Sequence, residues 1–161
     1  MQQRTLAFIG AGNMSRSIIA GLIQAGYPAG RIIAANPSRP KLDELADQFG
    51  IRITQNNAEA AREADVIVLA VKPQLMAAML EALVAELGSL AGKLLVSIAA
   101  GIKVERLQEM AGGHARIIRT MPNTPSLLGL GMTGLYAPTG IAQADRDFAE
   151  QMMQAVGKTL W

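Results

Sequence analysis

An apolar run, Leu6-Ala-Phe-Ile9, ends in Gly10-Ala-Gly12, and a helix-like pattern begins at Met14. Few short segments restrict a fold as strongly. A strand that turns at once into a helix needs backbone angles that a side chain opposes, and Gly10 supplies them. Gly12 leaves the backbone bare where a pyrophosphate would approach. Free N–H groups at the helix start, together with the helix dipole, favour an anion there. The third position of such a motif is normally Gly or Ala. Here it is Ser15, small enough for helix and strand to pack. The segment reads as the start of a dinucleotide-binding βαβ unit. Because Gly-x-Gly turns also arise for purely structural reasons, the rest of the chain has to decide.

The 161 residues are the length of one domain. Half of them are hydrophobic and 17% are charged, which suits a parallel sheet buried on both faces, whose strands are continuous apolar runs. Strand and helix patterns alternate along the whole chain. Strands are expected at 6–9, 31–35, 51–54, 66–71, 94–98 and around 117–118, with a further one at 131–136. Helices are expected at 14–25, 40–49, 57–63, 74–87, 104–110 and 142–155. Pro40 opens the second of these and Gly50 closes it, and Gly26 and Gly88 close others. Such alternation implies right-handed crossovers and an α/β fold: a doubly wound, mainly parallel sheet of Rossmann type with helices on both faces.

Composition removes several function classes. A net charge of +2 from scattered basic residues does not describe a nucleic-acid surface. The absence of cysteine excludes thiolate chemistry and disulfides, and agrees with a cytoplasmic setting. Thr120–Ala144 carries no charge, but Pro122, Pro125 and Pro138 would break a membrane helix there. The N-terminus shows no signal-peptide pattern. No nucleic acid, membrane or metal is expected as a partner.

In doubly wound sheets ligands bind beyond the carboxyl ends of the strands. Those ends carry small, polar or backbone-exposing residues here: Gly10–Ser15, Asn36-Pro-Ser38-Arg39, Asn56-Asn57, Lys72-Pro73, Ala99-Ala100-Gly101 and Thr120-Met-Pro-Asn123-Thr124-Pro125. After the second strand an NAD site usually has Asp or Glu for the ribose 2′-hydroxyl. Asn36, Ser38 and Arg39 stand there instead, an amide, a hydroxyl and a guanidinium that would accept a 2′-phosphate. NADP(H) is therefore the preferred cofactor, with NAD(H) as the other possibility. Arg39 beside Pro40 is also what an ordinary solvated helix start carries. Lys72 is placed to meet phosphate or ribose, or to snorkel into water. Three other features carry no site. Gly157-Lys158-Thr159 lacks the earlier glycine of a P-loop, since Met152 stands there. His114 is expected as an exposed loop residue without partner ligands. The Met76/Met79/Leu80/Leu83/Leu87 stripe has the period of a core-facing helix.

Five stretches resemble the N-terminal dinucleotide-binding domain of the pyrroline-5-carboxylate reductase family. They are Phe8-Ile-Gly-Ala-Gly-Asn-Met14, Ala70-Val-Lys-Pro-Gln74, Val96-Ser-Ile-Ala-Ala-Gly-Ile102, Arg119-Thr-Met-Pro-Asn-Thr-Pro125 and Gly131-Met-Thr-Gly-Leu-Tyr-Ala137. They occur in the family's order and span nearly the whole chain. The resemblance implies hydride transfer from NAD(P)H to 1-pyrroline-5-carboxylate, giving L-proline, in the cytoplasm. It implies that Gly10, Ala11, Gly12, Asn13 and Met14 hold the pyrophosphate and that Asn36, Ser38 and Arg39 line the ribose. Asn57 matches a family cofactor contact. Ala70, Val71, Lys72, Pro73, Ala99, Ala100 and Gly101 would line the nicotinamide half. Asn123 and Thr124 are the residues nearest the reacting centre, and no acid or base is implied within these motifs. Family members continue into a helical domain that forms the homo-oligomer and supplies much of the substrate pocket. On this resemblance the helical domain is expected to be absent from the 161 residues, which would bind the cofactor and turn over little substrate alone. Two other functions remain compatible with the residues: a non-catalytic NADP-binding or redox-sensing module, and a reductase of another small imine or ketone.

Overall fold

The apolar runs pair into one eight-stranded sheet in a computed structural model of the chain, which describes residues 1–114 and 116–161. The first half alternates β1 (Leu6–Ile9), α1 (Asn13–Gln24), β2 (Ile32–Ala35), α2 (Arg39–Phe49), β3 (Arg52–Thr54), α3 (Asn57–Glu63), β4 (Val66–Leu69) and α4 (Pro73–Leu87). The second half continues with β5 (Leu94–Ser97), α5 (Val104–Met110), β6 (Ile117–Met121), β7 (Gly131–Tyr136), α6 (Gln143–Gln154) and β8 (Gly157–Leu160). The strand order is β3-β2-β1-β4-β5-β6-β7-β8. Leu6 lies opposite Ile32 on one side and Val66 on the other, both in parallel register, so the winding reverses at β1 and β4. That reversal creates the crevice in which such sheets bind ligands. Among the described residues one pairing is antiparallel, β7 against β6, and β8 adds parallel to β7 as the edge strand, so these two strands run against the rest of the sheet.

Side-chain alternation divides the core into two layers. Leu6, Phe8, Val66, Val68, Val96 and Ile118 face α1, α2 and α6, packing on Ile18, Leu42 and Phe148. Ala7, Ile9, Ile67, Leu69, Leu95 and Ile117 face the other way, onto α3, α4 and α5. The stripe on α4 behaves as its spacing predicts. Met76, Met79, Leu80 and Leu83 are buried, and Leu87 is partly buried at the end of the row.

At the amino-terminal edge of the sheet an ionic clamp joins three elements. Asp145, 3% exposed in the first turn of α6, accepts from Arg4 ahead of β1 at 2.8 Å and from Arg116 ahead of β6 at 3.0 and 3.1 Å. The Arg4 guanidinium also stacks on the Phe148 ring. Burial by itself would raise the Asp145 pKa, but the hydrogen bonds and charges of Arg116 and Arg4 hold it below the usual carboxylate value.

Several details differ from the sequence expectation. His114 is half-buried, with Nε2 2.7 Å from the Lys93 carbonyl oxygen, and burial lowers its pKa. It is a packed residue, because the loop folds back against the start of β5. Gly157-Lys158-Thr159 forms edge strand β8. Pro125 starts a short 3-10 turn, Thr124–Leu128, in a stretch that apolar periodicity does not reveal. No helix among the described residues is long and apolar enough to cross a membrane.

One sheet face is bare. Beyond Ile117, no helix among the described residues packs over the side of β6–β8 that carries Met121, Met132, Tyr136 and Leu160, which are 41%, 46%, 47% and 66% exposed. Leu128 and Leu130 beside it are 78% and 76% exposed. Arg119 shares this face, directly opposite Tyr136, and its Nε is buried without a hydrogen-bond partner among the described residues.

Candidate dinucleotide cleft

Gly10 makes the turn out of β1 at a φ of +109°, where side chains are rarely tolerated. A Cβ there would also lie 2.6 Å from the Ala70 carbonyl oxygen. The turn is pressed against the end of β4, and only glycine fits. Gly12 differs: its φ is −79°, and a Cβ would meet nothing within 4 Å. Its role is to leave space in front of the backbone. Ser15 is 1% exposed and donates from Oγ to the Gly10 carbonyl oxygen at 2.8 Å. The hydroxyl that departs from the motif is therefore paired, and it ties α1 to the glycine turn.

No side chain among the described residues caps the start of α1. Among the described residues, no backbone acceptor takes the N–H groups of Gly12, Asn13 and Met14. These donors and the positive end of the helix dipole stand at a cavity of about 350 Å³. Its walls come from the ends of β1, β2 and β4: the glycine turn, Ala35-Asn36-Pro37, and Ala70-Val71-Lys72, with Lys41, Asn57, Leu75 and Met79 closing it. A second groove of about 320 Å³ adjoins it through Pro37, Asn57 and Met79, and carries Gln55, Asn56 and Glu86. Among the described residues that line the first cavity, Lys41 and Lys72 are the titratable ones, so its lining charge is positive. Unpaired N–H groups, two cations and an apolar wall match what a dinucleotide pyrophosphate and ribose require.

The sequence-predicted residues fall into three groups. Gly10, Ala11, Gly12, Asn36, Asn57, Ala70, Val71 and Lys72 line the same cavity, and Asn13, Met14 and Pro73 sit at the helix starts beside it. Asn36 joins two parts of its wall. Its Oδ1 accepts the Ala11 N–H at 3.3 Å, and its Nδ2 donates to the Ser38 carbonyl at 3.1 Å. Ser38 stands at the start of α2 without capping it, and Arg39 turns to an ion pair with Asp43 at 2.8 Å, so neither lines the cavity. Lys41, two residues on, does line it. Sequence reasoning passed over Lys41, although a lysine in the first turn of the helix after β2 was a visible signal. Met79, expected as a core residue of the helix stripe, also forms the cavity wall, and Leu75, which the sequence reading did not single out, stands beside it.

Ala99, Ala100 and Gly101 follow β5, the next strand along the same edge of the sheet, outside the lining of this cavity. Asn123 opens the 3-10 turn after β6. Its Oδ1 accepts the Met132 N–H at 3.0 Å, which braces the turn against β7. The side chain of Thr124 lies outside the described residues.

The model of a protein family described as NADP oxidoreductase, coenzyme F420-dependent, matches residues 5–101, which include every residue of the cavity. The chain belongs to that family. It is similar along its full length to the pyrroline-5-carboxylate reductase of Vibrio alginolyticus, at 50% identity over 161 residues, and to that of Haemophilus influenzae, at 45%. In both comparisons it spans 58% of the relative's length. Among solved structures, a pyrroline-5-carboxylate reductase from Coxiella burnetii superposes with a TM-score of 0.94 at 39% identity, covering 99% of this chain and 59% of that one. The Plasmodium falciparum pyrroline carboxylate reductase, solved with NADP bound, gives 0.84 at 27% identity over 99% of this chain and 58% of that one. A prephenate dehydrogenase from A. aeolicus, at 14% identity and a TM-score of 0.79, shares the fold.

Proposed function

We propose that this chain is the dinucleotide-binding portion of a pyrroline-5-carboxylate reductase that uses NAD(P)H. The carrying observation is the uncapped start of α1, whose unpaired N–H groups face a positive cavity between β1, β2 and β4. The likeness to reductases of that name supports the substrate assignment. The reaction adds hydride to the imine carbon of 1-pyrroline-5-carboxylate and a proton to its nitrogen, leaving L-proline and the oxidised dinucleotide. Bound NAD(P)H supplies the hydride. The chain's own contribution is positioning. The N–H groups of Gly12, Asn13 and Met14 hold the pyrophosphate, Lys41 and Lys72 offset its charge, and Val71, Leu75 and Met79 keep water from one wall. Ala99–Gly101 and the Asn123 turn continue the same edge of the sheet toward the substrate side.

NADP(H) is the preferred form on this reading. The loop after β2 carries no carboxylate to repel a 2′-phosphate, and the first turn of α2 that follows it offers Lys41 to the cavity. The remaining length of the relatives would cover the bare face of β6–β8, complete the substrate pocket and form the homo-oligomer. Calorimetric titration of the 161-residue chain with NADPH and NADH tests the proposal, alongside an assay for proline formation. Saturable binding, tighter for NADPH, with little or no proline formed is the expected result. A folded chain that binds neither dinucleotide would overturn the reading.

A further inference from the structure

Asn36 spends both ends of its amide on the protein. Its two partners are backbone groups of fixed polarity, an N–H that can only donate and a C=O that can only accept. The orientation of the amide is therefore set by chemistry: oxygen toward Ala11, nitrogen toward Ser38. Ala11 lies between the two motif glycines and is 6% exposed, so its N–H has little access to water. The ladder already brings the two loops together, since Gly10 N–H donates to the Ala35 carbonyl at 2.9 Å. Asn36 extends that link one residue further, from the ribose loop into the glycine turn.

We propose that Asn36 is a positioning residue, a latch whose amide fixes the glycine turn to the loop after β2 and so sets dinucleotide affinity through Ala11. This rests on the dinucleotide reading of the cleft. It accounts for an amide where NAD sites usually carry a carboxylate. Aspartate would keep the bond from Ala11 but would turn a lone pair toward the Ser38 carbonyl in place of a donor. On this account Asn36 contributes equally to both dinucleotides, because the pyrophosphate held by the turn is common to them.

Two variants separate the latch from direct reading of the ribose. Amide hydrogen exchange at Ala11 is followed by NMR in the ligand-free chain, and NADPH and NADH are titrated calorimetrically. In Asn36→Ala, Ala11 exchanges about fivefold faster and both affinities fall by a similar factor, the worth of one ordinary hydrogen bond. In Asn36→Asp, which retains the acceptor, Ala11 stays slow while NADPH weakens more than NADH. Unchanged Ala11 exchange in Asn36→Ala, with the NADPH-to-NADH ratio moved more than about threefold, would overturn the latch and make Asn36 a ribose reader. Fast Ala11 exchange in Asn36→Asp would also overturn it. If Asn36→Ala does not fold, Asn36→Asp decides the question by that same amide. If the unmodified chain binds no dinucleotide, the functional reading fails, and exchange at Ala11 still decides the latch.

Discussion

Gly12→Ala separates binding from folding more cleanly than any other change in the cleft. The added methyl would touch no protein atom within 4 Å, and a φ of −79° is open to alanine. Losing glycine at a helix cap costs a few tenths to about 1 kcal/mol, and the stiffer unfolded chain returns about 0.4–1 kcal/mol. The two nearly cancel, so stability should move by less than about 0.5 kcal/mol. The methyl instead occupies the approach to the helix start. Losing one or two hydrogen bonds to a charged phosphate, worth about 1.5–3 kcal/mol each, weakens NADPH binding by about tenfold to a hundredfold or more. Gly10→Ala is the contrast. Its φ of +109° and a Cβ 2.6 Å from the Ala70 oxygen combine backbone strain with a clash against backbone, for a loss of about 2–4 kcal/mol. Urea unfolding followed by circular dichroism reads stability, and calorimetric titration reads binding. If Gly12→Ala binds NADPH within threefold of the parent (about 0.6 kcal/mol), or loses more than about 2 kcal/mol of stability, the assignment of Gly12 is wrong.

Asp145→Asn removes the negative centre of a clamp between two arginines. Because Arg116 is partly solvated, the cost is below that of a fully buried pair, about 2–3 kcal/mol and about 5–10 °C in Tm. Since the Asp145 pKa is depressed on folding, the difference from the parent is full above the ordinary carboxylate pKa. It closes as pH falls through the lower folded value. Thermal melts across acid pH measure this, and a difference that ignores pH would refute it. Lys41→Ala should weaken NADPH by about tenfold and NADH little, whereas Arg39→Ala, already paired to Asp43, should cost about twofold to threefold. Equal losses of both dinucleotides in Lys41→Ala, read by titration, would remove its role at the 2′-phosphate.

The alternation of strand and helix was legible because the strands of a doubly covered parallel sheet are written as unbroken apolar runs, such as Val66–Leu69 between two helices. The edge strand β8 was harder to see, since Gly157-Lys-Thr-Leu160 carries no apolar run and none of its residues is fully buried. The glycine turn, Asn57 and Lys72 were found because position along a βαβ unit fixes which loops meet. The split between Arg39 and Lys41 was not, because it depends on the rotation of α2 about its axis and on an ion pair one turn away. His114 was misjudged for a related reason: a loop's composition does not say whether it folds back onto a strand. The two bonds of Asn36 likewise belong to three-dimensional placement, where residue type alone is silent.

The central position of β1 also governs the order in which the protein assembles. Leu6 to Ile9 leave the ribosome well before their partner on one side, Val66 to Leu69, which is made about sixty residues later. At typical elongation rates of about 5–20 residues per second, β1 waits about 3–12 s for β4, paired meanwhile with β2. The cleft opens across those same strands. A nascent chain therefore has no cofactor site until β4 has docked, and a dinucleotide can stabilise only chains that have already closed the middle of the sheet.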